Sequence, residues 1–236
     1  MIYGVLLAGG TGTRMVTSKI PKQFLKLNDV PMLNHTVDKF LVSPVIDKIV
    51  VVAPAMWLSH TRDLLKDKCY ADVLVCEGGS TRQESLYKAL VYITENCEVS
   101  DDDIIVSHDV ARPFVSLRII EDNVKALSDY DAADTVIPAV DTIVNSENGT
   151  TITRIPDRNK MYQGQTPQSF RRVDYINVYK KCSQEYLKNV TDAARILAEN
   201  GYSVALVKGE DFNIKITTEY DLRIAKFLLG DTRNDD

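Results

Sequence analysis

Short apolar runs recur along the chain, with helical spacing of apolar residues between them. Strands are predicted at 4–8, 48–53, 71–76, 103–107, 133–138 and 203–207, and several of these runs lack strict alternation, the mark of strands covered on both faces. Leu33, Val37, Phe40 and Leu41 fall on one helical face, as do Leu86, Leu90 and Ile93. Ser80-Thr81-Arg82-Gln83 has the form of a capping box and predicts a helix starting just after Gly78-Gly79. Ser116 stands before Ile119, Ile120, Val124 and Leu127 in the same manner, and further helices are predicted near 191–199 and 220–229. Strand and helix alternating on this scale give an α/β fold, a mainly parallel sheet with helices on both faces.

The alternation breaks between about 140 and 168. Short β-prone pieces at 142–144, 150–154 and 161–163 surround the turn signal Glu147-Asn148-Gly149. A hairpin-like arm projecting from the sheet fits this pattern. It has too little core of its own, so packing on a second subunit is expected. The organisation expected is one domain over 1–230, an arm at about 140–168, and a polar, frayed tail over 231–236.

Composition narrows the function classes. The formal net charge of −5 disfavours a nucleic-acid surface, which is usually basic. No apolar run approaches a membrane span, and Met1-Ile2-Tyr3 enters a strand with no basic leader. The four cysteines lack Cys-x-x-Cys spacing, and Cys76 reads as a small buried hydrophobe. Reduced thiols and a cytoplasmic location are therefore expected, with no nucleic-acid and no membrane partner. His35, His60 and His108 are too dispersed for a metal cluster.

The chemistry gathers at the predicted strand ends. The first strand runs through Leu7 and Ala8 into Gly9, Gly10, Thr11, Gly12 and Thr13, with Arg14 and Lys22 close behind. Glycines let a ligand approach the main chain, and clustered N–H groups make an anion-binding concavity. The loop is neither a P-loop nor a dinucleotide fingerprint, since Gly-Lys-Ser/Thr and the third spaced glycine are both missing. The third strand ends in Gly78-Gly79-Ser80-Thr81-Arg82, and the fourth in His108-Asp109-Val110-Ala111-Arg112. The fifth runs into Asp141-Thr142, and the sixth into Lys208 and then Lys215. Ligands of open parallel sheets bind beyond these carboxyl ends. Each piece alone has a plainer meaning: a glycine turn, a solvated Arg82, a surface ion pair of Asp109 with Arg112, an exposed Lys215, an N-cap at Thr191-Asp192. Together they point to one anionic ligand and to phosphoryl or nucleotidyl transfer, with Asp109 suited to hold Mg²⁺ against phosphate oxygens.

These residues resemble the family of sugar-alcohol and isoprenoid-precursor cytidylyltransferases. The resemblance is carried in order by Leu7-Ala-Gly-Gly-Thr-Gly-Thr-Arg-Met15, Pro21-Lys22-Gln23, Gly78-Gly79 with Arg82 and Ser85, and His108-Asp-Val-Ala-Arg-Pro113. It continues through Asp141-Thr142, Gln165-Thr-Pro-Gln168, Thr191-Asp192 and Asn213-Ile-Lys-Ile-Thr217. It implies a Rossmann-like nucleotidyltransferase fold, a homodimer clasped through the β-arm, and Mg²⁺-assisted reaction of CTP with a polyol phosphate. On that resemblance Arg14 and Lys22 stabilise the transition state. Leu7 to Thr13 wrap the triphosphate, while Gly79, Ser80, Thr81, Arg82 and Ser85 read cytosine and ribose beside Val110. Asp109 ligates the metal or positions substrate. Arg112, Thr142, Thr191, Lys215 and Arg158 hold the polyol phosphate, with Arg158 reaching in from the partner's arm.

The resemblance covers two branches, one using 2-C-methyl-D-erythritol 4-phosphate and one using D-ribitol 5-phosphate for teichoic acid or capsule synthesis. Val140 stands where the isoprenoid branch has a basic residue before Asp-Thr. Gly164 belongs to an extension typical of the ribitol branch, and Phe212 replaces an acidic residue, so the resemblance favours ribitol. Rivals of other classes are a non-catalytic nucleotide-binding module and a nucleotide-sugar glycosyltransferase. The retained Arg14, Lys22 and Asp109 speak against the first. Asp101-Asp102-Asp103 lies at the wrong end of its strand for the second.

Overall fold

The structure is a computed structural model that describes residues 1–9 and 20–230. The chain runs β1 (Ile2–Leu7), β2 (Lys26–Leu27), β3 (Val30–Pro31), α1 (Met32–Leu41), β4 (Lys48–Ala53) and α2 (Leu58–Leu64). It continues through β5 (Val73–Glu77), α3 (Arg82–Asn96), β6 (Ile104–Asp109), α4 (Leu117–Ala126) and β7 (Ala132–Pro138). After a long connection come β8 (Tyr162–Arg171), α5 (Arg172–Lys181), α6 (Gln184–Asn189), α7 (Ala193–Glu199), β9 (Val204–Lys208) and α8 (Glu219–Leu228).

A seven-stranded sheet has the order β5-β4-β1-β6-β8-β7-β9. β8 runs antiparallel to both its neighbours, while the other pairs are parallel. The carboxyl ends of the six parallel strands therefore share one edge. Alternating side chains divide the sheet's residues between two cores. Tyr3, Val5, Ile105, Ala132 and Phe170 pack with Leu86 and Leu90 of α3, Tyr175 of α5 and Ile196 of α7. Leu6, Val51 and Val106 pack on the opposite face with Val37 and Phe40 of α1 and Ile119 and Ile120 of α4. Each of the larger of these side chains contributes about 1.5–3 kcal/mol by burial. Helices on both faces match the sequence expectation. No helix among the described residues is long and apolar enough to cross a membrane.

The main departure is β8. The sequence reading assigns 140–168 to the arm, yet residues 162–168 lie in a central strand, wedged between β6 and β7. Gly164 and Pro167 argue against a strand by composition. The structure accommodates Pro167 at an irregularity: pairing jumps from Asp134↔Gln168 to Val136↔Gly164. There the Thr135 hydroxyl donates to the Pro167 carbonyl at 2.6 Å in place of a ladder bond. Helices α5 and α6, and the β2–β3 hairpin with positive φ at Asn28 and Asp29, were likewise not anticipated.

What remains of the arm is hairpin-like. Asn145 and Arg154 bridge, and the Asn148 carboxamide oxygen accepts from the backbone N–H groups of Thr150 and Thr151 at the tip. The tail over 231–236 lies outside the described residues. The Cys76 thiol is buried, which pushes it up to about 12, and it behaves as a core hydrophobe. The other three cysteines are also unpaired.

Candidate active site

The strand ends bring Asp109 to the middle of the shared edge, directly beside Leu7 of β1. Two cations close on it. Lys215 Nζ lies 2.7 Å from Oδ2, and Arg82 Nε, from the first turn of α3, lies 3.2 Å from Oδ1. Burial opposes the charge on Asp109, but Arg82 and Lys215 outweigh it and hold the carboxyl well below the usual carboxylate range. Asp109 is therefore ionised at any physiological pH.

A strap over 213–217 completes the cluster. Arg112 Nη1 donates to the Asn213 carbonyl at 2.7 Å, and the Ile216 N–H donates to the Ala111 carbonyl at 2.8 Å. Lys22 Nζ donates to the Ile216 carbonyl at 3.1 Å, next to Lys215. The turn carrying Lys22 is anchored by Gln23, whose buried Nε2 donates to the Ala8 carbonyl at 2.6 Å. Four separate segments thus bring cations here: Arg82 and Lys215 to the Asp109 carboxylate, Lys22 and Arg112 to the strap beside it. The Asn213 carboxamide binds Gln165 Oε1 and the Thr166 carbonyl, both at 3.0 Å, fixing the strap to β8. A Cβ at Gly209 would push on Gln165 Oε1 and disturb its bond to Asn213.

His108 is a positioning residue behind Asp109. Burial pushes it down to about 4, so it is neutral near pH 7. Nε2 donates to the Arg112 carbonyl at 3.0 Å, which leaves Nδ1 to accept from Thr166 Oγ1 at 3.0 Å. Thr166 Oγ1 in turn accepts from the Asp109 N–H at 3.1 Å. The chain of bonds ties β6, β8 and the Arg112 turn together.

The glycine turn after β5 behaves differently from its sequence reading in one respect. The N-cap of α3 is Thr81, one residue later than the Ser80 expected, and it accepts from the Glu84 N–H. Glu84 reaches back to the Ser80 N–H and hydroxyl. Gly79 has no room for a Cβ against that Glu84 side chain. Its N–H donates to Ser85 Oγ at 2.9 Å, and Ser85 donates to the Thr81 carbonyl at 2.8 Å. Arg82, expected with the nucleotide readers, makes its ion pair with Asp109.

Other expected residues stay apart from this cluster. Thr142 is exposed beyond the end of β7, in the arm, and the Arg158 guanidinium donates to the Val140 carbonyl at 2.9 Å. Thr191 is exposed and its hydroxyl meets Asp192, which caps α7 by accepting from the Arg195 N–H. Val110 is fully buried beneath the site. Gly10, Thr11, Gly12, Thr13 and Arg14 lie outside the described residues. Asp103 serves neither metal nor sugar: its carboxylate binds the N-terminal ammonium at 2.7 Å and the Ser100 N–H.

Among the described residues no three His, Cys, Asp or Glu side chains group as a metal site. Mg²⁺ in phosphate chemistry needs only one or two carboxylates plus substrate oxygens. Arg82 and Lys215 take two of the roughly four lone-pair sites of Asp109, and the rest suit a cation. Sequence reasoning assigned no role to Asp134, Ser107 or Gln168. A carboxylate between Ala132 and Val136, in a strand covered on both faces, was the signal available.

The family model for 2-C-methyl-D-erythritol 4-phosphate cytidylyltransferase (IspD) matches residues 2–231. A ribitol-5-phosphate cytidylyltransferase of Lactiplantibacillus plantarum is 47% identical over 231 residues, spanning 97% of this chain and 98% of that one. One of Streptococcus pneumoniae is 48% identical over 233 residues, spanning 97% and 99%. The crystal structure of a 4-diphosphocytidyl-2C-methyl-D-erythritol synthase from Anaerococcus prevotii superposes with a TM-score of 0.81 at 26% identity, covering 98% of this chain and 96% of that one.

Proposed function

From the premise that this chain belongs to the 2-C-methyl-D-erythritol 4-phosphate cytidylyltransferase family, we propose that it transfers CMP from CTP to D-ribitol 5-phosphate, giving CDP-ribitol and pyrophosphate. The observation that carries the transfer chemistry is the cationic cluster at the carboxyl edge of the sheet, where Arg82 and Lys215 pair with Asp109 and Lys22 and Arg112 bind the strap that carries Lys215. The choice of polyol is supported by near-full-length identity to ribitol-5-phosphate cytidylyltransferases.

In this reading a phosphate oxygen of the acceptor attacks the α-phosphorus of CTP, and the bond to the β-phosphate oxygen breaks. Such a reaction asks for positioning and charge neutralisation more than covalent help. Arg112 and Lys215 hold the acceptor phosphate. Lys22, with Arg14, meets the charge that develops on the triphosphate side. Asp109 keeps Lys215 and Arg82 aimed and, with Mg²⁺ bound, serves as its protein ligand; the ion supplies further neutralisation of phosphate oxygens. Gly79 and Ser85 form the wall that receives cytosine and ribose.

Dimerisation through the arm belongs to the same proposal. Val144, Ile152 and Ile155 are exposed apolar residues on an arm with little core, which suits a clasp against a second copy. Arg158 and Thr142 then serve the partner's acceptor phosphate. A cytoplasmic enzyme feeding teichoic acid or capsule synthesis accords with the unpaired cysteines and with the product.

The second reading, 2-C-methyl-D-erythritol 4-phosphate as acceptor, draws on the matching family model and the superposing synthase. Pyrophosphate release with CTP and Mg²⁺ separates the two. Ribitol 5-phosphate should be used at least tenfold more efficiently; the reverse preference rejects the ribitol reading, and silence with both favours a non-catalytic nucleotide-binding module.

A further inference from the structure

The sheet face that carries Asp109 continues inward. Ile105, Phe170 and Ala132 stand opposite one another across β6, β8 and β7, and all three belong to the core beneath α3, α5 and α7. Two residues nearer the carboxyl edge on the same face, Ser107 pairs with Gln168, and Gln168 pairs with Asp134. The three make a polar row one step below Asp109.

The row is tied together yet incomplete. Gln168 Nε2 donates to Asp134 Oδ1 at 2.8 Å, and Gln168 Oε1 accepts from the Ala193 N–H at 3.0 Å. Among the described residues the buried Ser107 hydroxyl has no hydrogen-bond partner, and neither have the buried Nη1 and Nη2 of Arg82. Such groups normally find partners, because an unsatisfied buried donor is costly. Asp134 forms no salt bridge among the described residues. Burial raises its pKa to about 6, with Asp192 adding to the rise and Arg82 and Arg112 pulling it back. The cations at the edge are thus near enough to be felt, while among the described residues the carboxylate itself is bonded by a neutral amide.

We propose that Asp134, backed by Gln168 and Ser107, reads the hydroxyl groups of the acceptor and sets its direction in the site. This rests on the reading above that the acceptor is a polyol phosphate. A carboxylate accepts hydrogen bonds from hydroxyls and repels a phosphate, so the phosphate end stays with Arg112 and Lys215 while the hydroxyl-bearing chain turns towards Asp134. The Arg82 Nη groups and Ser107 Oγ then supply complementary donors to the same hydroxyls. A carbon lacking a hydroxyl leaves Asp134 unpaired, and a methyl branch keeps its hydroxyl but crowds the approach to the row; sites built to bond a hydroxyl discriminate strongly against its absence.

The test is steady-state kinetics of the wild-type chain, Asp134→Asn and Asp134→Val with CTP, Mg²⁺ and three acceptors: ribitol 5-phosphate, a deoxyribitol 5-phosphate and 2-C-methyl-D-erythritol 4-phosphate. The valine variant should raise the KM for ribitol 5-phosphate by about 10–100-fold, the size of a lost charge-assisted bond. The KM for CTP should stay within about twofold, and the preference for the fully hydroxylated acceptor should shrink by a similar factor to the KM change. Asparagine still accepts the Gln168 bond. If Asp134 merely props Gln168 and α7, Asp134→Asn restores wild-type values and the proposal falls. An unchanged acceptor KM or an unchanged preference in the valine variant also overturns it. Should Asp134→Val fail to fold by circular dichroism, Asp134→Asn carries the test alone, with an acceptor-only KM increase expected. A wild-type chain that prefers methylerythritol phosphate rejects the ribitol reading but leaves Asp134 to be judged on that acceptor's KM. A wild-type chain that uses none of the three overturns both.

Discussion

Asp109 and Asp134 sit on one sheet face, one level apart, and their surroundings drive them in opposite directions. At the edge, Asp109 is locked between Arg82 and Lys215, so its charge persists despite burial. One level inward, Asp134 has burial without a salt bridge, and it holds its proton more tightly than a solvated carboxyl. The lesson is that neighbouring carboxylates divide labour by partner rather than by depth. In the proposed reaction the paired one organises cations for phosphate, and the other is left to accept from uncharged donors.

The comparison breaks first at Asp109. Asp109→Asn removes the charge that aims Lys215 and Arg82, and turnover should fall about 10²–10³-fold or more, as when an electrostatic group is lost from a transfer site. Its stability should drop by about 1–3 kcal/mol, below the value for a fully buried pair because Lys215 is 40% exposed. Turnover within tenfold of wild type, measured by pyrophosphate release, would remove Asp109 from the site's working parts.

A smaller effect, of opposite sign for the two residues, lies in the pH dependence of stability. Asp109 has a depressed pKa in the folded chain, so its contribution is full above about pH 4, the unfolded value, and fades as pH falls below it. Asp134 is raised to about 6, so the folded chain binds a proton that the unfolded chain has released between about pH 4 and 6. Its cost therefore appears as pH rises through that window. Relative to Asp134→Asn, the wild-type chain should lose about 1–2 kcal/mol between pH 4 and pH 7 in urea melts. A difference that stays flat would mean that Asp134 is as well solvated as a surface carboxylate.

The smallest effect tests the proposed dimer, in which Arg158 of the partner subunit completes the acceptor end. Arg158 holds to Val140 within its own arm, away from the Asp109 cluster. Mixing Arg158→Ala with Lys22→Ala should recover part of the activity that each lacks alone, because one site of each mixed dimer keeps both residues. Mixtures no more active than their components would place Arg158 outside a shared site.

Much of this was legible in the chain. The parallel strands, the helices with Ser116 and Asp192 as caps, and the charged strand ends all follow from short-range pattern, and the structure brings Lys22, Arg82, Asp109, Arg112 and Lys215 together as the convergence of strand ends implied. What escaped was set by long-range pairing. β8 contains a glycine and a proline, and only the irregular register with β7 makes it a strand. Without β8, neither Thr166 beside His108 nor Gln168 beside Asp134 could be foreseen. Asp134 itself looked like one charge in an apolar run. The partner of Arg82 was equally hidden, since first-turn arginines usually face solvent and nothing local announces a carboxylate 27 residues away.

Because β8 is both the return limb of the arm and a wall of the site, the two ends of the arm tolerate change very differently. The Asn148 turn is exposed on every side, so residues can be added or deleted there without touching any strand pairing. A single residue inserted after Gly164 would shift every later position of β8 by one, and side chains alternate across a sheet. Thr166 and Gln168 would then exchange places with their neighbours, detaching His108 and Asp134 at one stroke. Drift in arm length is thereby confined to the tip, while the return limb is counted residue by residue.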